Sequence, residues 1–176
     1  MDQERRSNFK LMMHMVHSAK LRNMASVYFT RNHEILLLYR QGKSIVSNMW
    51  IGSAGGHFEK EELNDAKACI LREISEELGL NPHNILNLQL RYISLRNMDD
   101  EIRQNYYFFA ELDDSIPVSL NSTEGNLQWF SFEDIADLTM PFTARYVVNH
   151  YIYTGRFNDH LYGGIGNETG MTFIQL

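Results

Sequence analysis

Between residues 24 and 131 the apolar positions fall in short runs separated by polar or glycine-containing turns, a spacing that predicts strands more often than helices. Met24–Thr30 is rich in β-forming residues, the stretch Arg31-Asn32-His33-Glu34 reads as a turn, and Ile35–Arg40 is apolar, so the three predict a hairpin. A loop and a short strand follow through Gly56, punctuated by glycines. Further strands are expected at Leu90–Arg96, Gln104–Leu112 and Leu127–Ser131, with the polar stretch Met98–Gln104 connecting the first two. The period changes at Asn64–Leu78, where Ala68, Leu71, Ile74 and Leu78 recur on one helical face. Asn64 or Asp65 can cap that helix, Gly79 supplies a left-handed stop, and Pro82 prevents continuation.

A short helix is expected near Glu133–Leu138 and a longer one over Pro141–Tyr153, before a glycine-rich tail that returns to a strand at Met171–Leu176. The Met- and His-rich segment from Glu4 to Leu21 reads as a further helix, suited to packing or to a homodimer contact. No repeat or low-complexity block interrupts the chain. The pattern predicts an α/β domain over 23–176 with a helical extension over 1–22.

The helix over Asn64–Leu78 has an electrostatic peculiarity. Glu73, Glu76 and Glu77 occupy an arc of roughly 100° opposite its apolar face. Like charges at this spacing oppose helix formation. Arg72 can pair with Glu76 one turn on, yet one guanidinium cannot neutralise three acids. Either the face is simply solvated, or it awaits a hard divalent cation with oxygen ligands.

Composition narrows the choice. The chain has 176 residues, 44% of them hydrophobic and 22% charged, which is enough to build a core. Its formal net charge of −6 argues against a nucleic-acid polymer as partner, while a small anionic substrate is compatible if cations offset the charge locally. Cys69 is the only cysteine, so no intrachain disulfide forms. Lys10, His14 and His17 interrupt the apolar run near the amino terminus, unlike an export signal, and no run is long enough to span a membrane. A soluble cytoplasmic protein is expected.

The stretch Gly55–Leu80, GGHFEKEELNDAKACILREISEELGL, resembles the Nudix box: Gly, five residues, Glu, seven residues, then Arg-Glu-apolar-any-Glu-Glu-any-Gly-apolar. Gly56 and Glu62 carry the first spacing, and Arg72 through Gly79 to Leu80 carry the second half position by position. Nine residues rather than seven separate Glu62 from Arg72, an insertion around Leu63–Asn64, so Glu59 and Glu61 compete with Glu62 for the box glutamate that holds the arginine. The resemblance implies an α/β/α sandwich around a mixed β-sheet, with a catalytic loop and helix. It implies Mg²⁺-dependent, or Mn²⁺-dependent, attack by water on a diphosphate linkage. By the same resemblance Glu73, Glu76 and Glu77 and the Gly56 carbonyl bind metal, Arg72 orients the acids, and the general base is Glu73 or Glu124.

The rest of Met24–Leu176 resembles the MutT-like branch that removes oxidised purine nucleoside triphosphates, on the stretches LLLYRQGKSIVSNMWIGSAGGHFE, EGNLQWFSFEDI and the last 37 residues from Met140. That implies a small nucleotide substrate, 8-oxo-dGTP first, with ADP-ribose or another nucleoside diphosphate derivative second and a non-catalytic nucleotide sensor as the other class. Where mammalian-type members carry Trp-Pro-Asp-Asp, this chain has Met140-Pro141-Phe142-Thr143. Phe142 is a candidate for packing against a base, Arg40 and Lys43 for phosphate contact, and His57 for either phosphate contact or a structural role. Trp50, Trp129 and Cys69 read as packing residues.

Overall fold

The computed structural model describes residues 19–40, 48–98, 100–113, 116 and 121–176. Lys20–Arg31 form β1 and Glu34–Arg40 form β2, paired antiparallel in the register Phe29↔Leu36. Asn32 makes the turn at φ 51°, a left-handed conformation that asparagine tolerates better than other non-glycine residues. Next come β3, Met49–Ile51, which pairs with the last residues of β2, Leu38–Arg40, and β4, Ala54–His57, on the middle of β1. Strands β5, Ile85–Met98, and β6, Glu101–Leu112, form a long antiparallel pair, and β6 runs parallel to β1 from Lys20↔Glu101 to Phe29↔Ala110. Strand β7, Gly125–Ser131, joins β2. Strands β8, Tyr162–Gly166, and β9, Met171–Gln175, extend the sheet beyond β5.

Side chains of successive β1 residues alternate between two cores. Ala25, Val27 and Phe29 pack with Cys69, Ile70 and Ile74 of helix α1, Ala66–Leu78. On the other face Tyr28 joins Tyr92, Tyr107 and Phe109 beneath Val147, Val148 and Ile152 of helix α2, Phe142–Tyr153. One helix on each face of a mixed sheet makes an α/β/α sandwich. Full burial of Ile70 and Ile74, each at 0% exposure, contributes about 1.5–3 kcal/mol apiece and fixes α1 against β1 and β4. Among the described residues no helix is long and apolar enough to cross a membrane.

Four expectations change. The helix expected from Glu4 to Leu21 falls mostly outside the described residues, but Lys20 and Leu21 open β1, because Glu101 and Ile102 of β6 supply backbone partners there. The polar stretch Met98–Gln104 is mostly strand: β5 and β6 pair as far as Met98↔Glu101, and Glu101 takes ion pairs from Arg103 at 2.7 Å and Arg22 at 3.5 Å. Polarity marked an exposed pair of strands rather than a loop. The glycine-rich tail contains β8, hidden from pattern reading because Gly164 leaves room for Met171 and Phe173 of β9; a Cβ there would lie 2.4 Å from Met171 Cε. The short helix near Glu133–Leu138 is a 3₁₀ turn at Asp134–Asp137.

Helix α1 begins and ends where its sequence signals say. Asp65 caps it by accepting from the Ala68 N–H at 2.9 Å, and Gly79 ends it at φ 66° with its N–H on Ser75 O. Nothing lies within 4 Å of a Cβ built on Gly79, so its requirement is purely conformational. Gly79→Ala is expected to destabilise the protein by about 1 kcal/mol, and Gly79→Asn by less, in urea unfolding.

Candidate active site

Arg72 organises the acidic face. Its Nε and Nη2 donate to the two carboxylate oxygens of Glu62 at 2.8 and 3.0 Å, a forked charge-assisted pair. Nη1 donates to Glu73 Oε1 at 2.9 Å and Glu76 Oε2 at 3.0 Å, and Nη2 also reaches the His57 carbonyl at 3.1 Å. The structure therefore brings Glu62, rather than Glu59 or Glu61, to the arginine. The two extra residues are taken up without displacing it: Lys60–Glu62 turn as a 3₁₀ segment, the Glu59 N–H donates to Glu62 Oε2 at 2.9 Å, and the chain reverses at Leu63–Asn64 before Asp65 starts α1. His57 contributes its backbone carbonyl to Arg72, while its ring meets Arg22. Cys69 is fully buried beside this pair, and burial pushes its thiol up to about 12, which makes it inert packing.

The glycine turn closes on the helix from the other side. Gly55, at φ 155°, pairs with Ser26, and its N–H donates to Glu77 Oε2 at 3.1 Å. Gly56 lies against Glu73 so closely that a Cβ there would stand 2.2 Å from Glu73 Oε1. Only a glycine lets backbone and carboxylate approach this way. The sequence marked Gly56, but the Gly55 donor to Glu77 was not foreseen; the double glycine before an acidic helix was its only signal.

Glu124 arrives from a third element. It precedes β7, and the Thr123 N–H donates to the Glu77 carbonyl at 3.1 Å, tying this loop to the end of α1. Arg40, at the end of β2, pairs with Glu124 through Nη2 and Oε2 at 3.2 Å. Burial pushes the Glu77 carboxyl up to about 7, opposed by the Gly55 N–H and reinforced by Glu73 and Glu124. Glu73 is also raised, first by burial, despite Arg72 beside it. Five carboxylates thus share two guanidiniums, and two of the acids already resist ionisation.

Among the described residues no group of three or more His, Cys, Asp or Glu side chains is disposed around a point that could hold a metal ion. Arg72 draws Glu73 and Glu76, and Gly55 draws Glu77, so the three acids are turned to partners within the protein. The donor set itself is all oxygen, which suits Mg²⁺ or Mn²⁺ and not a thiolate metal. Phe142 is not part of this cluster. It starts α2 on the opposite layer, with the Arg96 guanidinium 4.1 Å above its ring and Tyr146 beside it at 4.9 Å. Trp129 packs near the α1 core under Arg31, and Trp50 stacks edge-on with Phe130. Lys43 lies outside the described residues.

A family model described as NUDIX domain matches residues 20–151. The chain belongs to the Nudix family. It is accordingly a Nudix pyrophosphohydrolase, whose general activity is hydrolysis of a diphosphate linkage in a nucleotide. No curated protein matches the sequence. Solved structures agree on the fold of this Nudix domain. A MutT protein from Bacillus halodurans superposes with a TM-score of 0.63 at 18% identity, covering 88% of this chain and 97% of that one. A MutT protein from Methanosarcina mazei Go1 gives 0.62 at 17% identity over 78% and 96%. A NUDIX hydrolase from Nitrosomonas europaea gives 0.62 at 12% identity over 85% and 80%.

The Glu62–Arg72 pair makes a signed prediction. Arg72 holds the Glu62 carboxyl at about 2, below its ordinary 4.5, so the unfolded chain takes up this proton first. The resulting stability is fully present above about pH 4.5 and is lost as the pH falls through about 2. In urea unfolding, Glu62→Gln is expected to be less stable than the parent at pH 7, with the gap narrowing steadily below pH 4.5.

Proposed function

We propose that this chain hydrolyses a nucleoside triphosphate or related nucleotide at a diphosphate linkage, using Mg²⁺, or Mn²⁺ in its place, held on the acidic face of α1. The observation that carries the reading is the Arg72 fork. One guanidinium, anchored by Glu62, holds Glu73 and Glu76 side by side at 2.9 and 3.0 Å, against a glycine turn that reaches Glu77. In this reading Glu73, Glu76 and Glu77 would hold the metal with the Gly56 carbonyl. A bound divalent ion offsets phosphate charge and eases deprotonation of the attacking water.

The remaining roles belong to the protein itself. Arg72 keeps Glu73 and Glu76 from splaying apart, the Gly55 N–H holds Glu77, and Glu62 keeps Arg72 from collapsing fully onto the helical acids. Glu124 serves as general base or additional ligand; its place beside Glu77 and Arg40 supports this, because a proton taken from water would stay on a carboxylate already facing other acids. Glu73 is the alternative base. Arg40 would contact phosphate once Glu124 turns toward the reacting centre, since one guanidinium can serve both.

For the substrate we favour an oxidised purine nucleoside triphosphate such as 8-oxo-dGTP. Support comes from the MutT-like sequence pattern around the box and in the closing helix. Phe142, its ring under Arg96 on the layer opposite the acids, does not reach the acidic face, and Met140-Pro141-Phe142-Thr143 brings no acid to read a base.

A nucleotide panel with Mg²⁺ and product identification tests this reading. Turnover should vanish in EDTA, and Glu76→Gln or Glu77→Gln should lower kcat at least about a hundredfold while the fold persists. Full turnover by either variant removes the assigned metal role. The substrate proposal requires kcat/KM for 8-oxo-dGTP to exceed that for dGTP; equal values sink it, and preference for ADP-ribose replaces it with the runner-up.

A further inference from the structure

A polar cavity of about 230 Å³ lies on the α2 side of the sheet, beside Thr30 near the end of β1. The acids meet β1 on its α1 side, through Gly55 and Gly56 at Ser26 and Ala25, so the two places are separated by the sheet itself. The floor of this cavity is Arg91, only 5% exposed. Its Nε donates to the His160 carbonyl at 3.1 Å, and its Nη2 donates to the Gly155 and Asn158 carbonyls at 2.9 and 2.6 Å and to Asn158 Oδ1 at 3.3 Å. Every acceptor is neutral. Nη1 donates to no described residue, and no described carboxylate lies within ion-pair distance of Arg91.

The carbonyls explain part of this arrangement. They follow the end of α2, where the helix dipole favours a cation, and Arg91 fastens that loop to β5. Fastening the loop employs Nε and Nη2 and leaves Nη1 and the cavity over it unexplained. A buried lysine or histidine could shed its proton; a guanidinium cannot. Its charge therefore persists at the floor of the cavity, where a small anion can pair with it. Arg156 lines the same cavity and has no carboxylate partner among the described residues; its Nε is taken by the Ile152 carbonyl at 2.8 Å. Tyr151 lines the same cavity.

We propose that this cavity is a binding site for a small oxyanion, a phosphate or a carboxylate, seated on Arg91 Nη1 and flanked by Arg156. Its volume falls below the roughly 300–1,000 Å³ of sites for drug-sized ligands, which excludes a nucleotide. Glu111 and Asp159 also line it, but both are exposed, where water and salt screen them. At the rim they repel a polyanion while leaving the buried floor positive, so the site selects low charge as well as small size. The proposal stands independently of the nucleotide chemistry on the other face.

Calorimetric titration of inorganic phosphate, and separately of acetate, into the full chain in EDTA at constant ionic strength tests it. One of the two anions should bind at a single site, and the tighter one identifies the ligand chemistry. Arg156→Gln should weaken binding roughly tenfold. Asp159→Asn should tighten it, and Glu76→Gln should leave it unchanged. Both cavity variants sit at exposed or half-exposed positions, and hydrolysis of the preferred nucleotide should persist in them as proof of folding. Arg91 guanidinium resonances should shift on saturation. Failure of both anions to bind at 10 mM (on the order of the weakest useful affinity) overturns the proposal. So does binding that ignores both Arg156→Gln and Asp159→Asn.

Discussion

Everything distinctive about the acidic face depends on the forked bond between Arg72 and Glu62. Without an anchor, a guanidinium one turn from Glu76 and next to Glu73 would settle between them as an ordinary helix-surface pair, worth a few tenths of a kcal/mol. Anchored on both oxygens of Glu62, it presents one nitrogen to both helical acids and fixes their separation. The anchor is itself fixed by the Glu59 N–H and by the 3₁₀ turn. That local rigidity explains how two additional residues before Arg72 are tolerated: the loop length changes, and the carboxylate still arrives.

The second constraint is the glycine turn. Backbone at Gly55 and Gly56 approaches Glu77 and Glu73 more closely than any side chain would permit, so β4 and α1 share one wall of the site. The proximity has an electrostatic cost. Glu77 is shifted to about 7 and Glu73 upward, chiefly by burial, with Glu124 adding its charge from the β7 side. A site held in such a state is stabilised by whatever cation relieves it, which links the geometry of the fold to the metal-dependent chemistry proposed for this Nudix enzyme.

Much of this was legible in the residues themselves. The hairpin, the acidic helix with its caps, and the paired central strands follow from period and punctuation. The acid face could be read because three glutamates on one arc violate a local rule that folds normally respect. What escaped reading has specific causes. Strand β8 is disguised by glycines whose purpose is to admit side chains from β9. The tip of β5–β6 is polar because ion pairs, rather than burial, hold it. Arg91 gave no signal at all, since a lone arginine inside a strand looks like any exposed charge until its loop partners 64 to 69 residues away are in place.

The central claim is that Glu62, which would never touch the metal, controls the metal site by holding Arg72. Mn²⁺ affinity measured by electron paramagnetic resonance on the parent and on Glu62→Gln tests it most directly. The account predicts a loss of about ten- to a hundredfold in the variant, with the fold intact, as is typical when a supporting partner of ligands is removed. Equal Mn²⁺ affinity in the two proteins would contradict it.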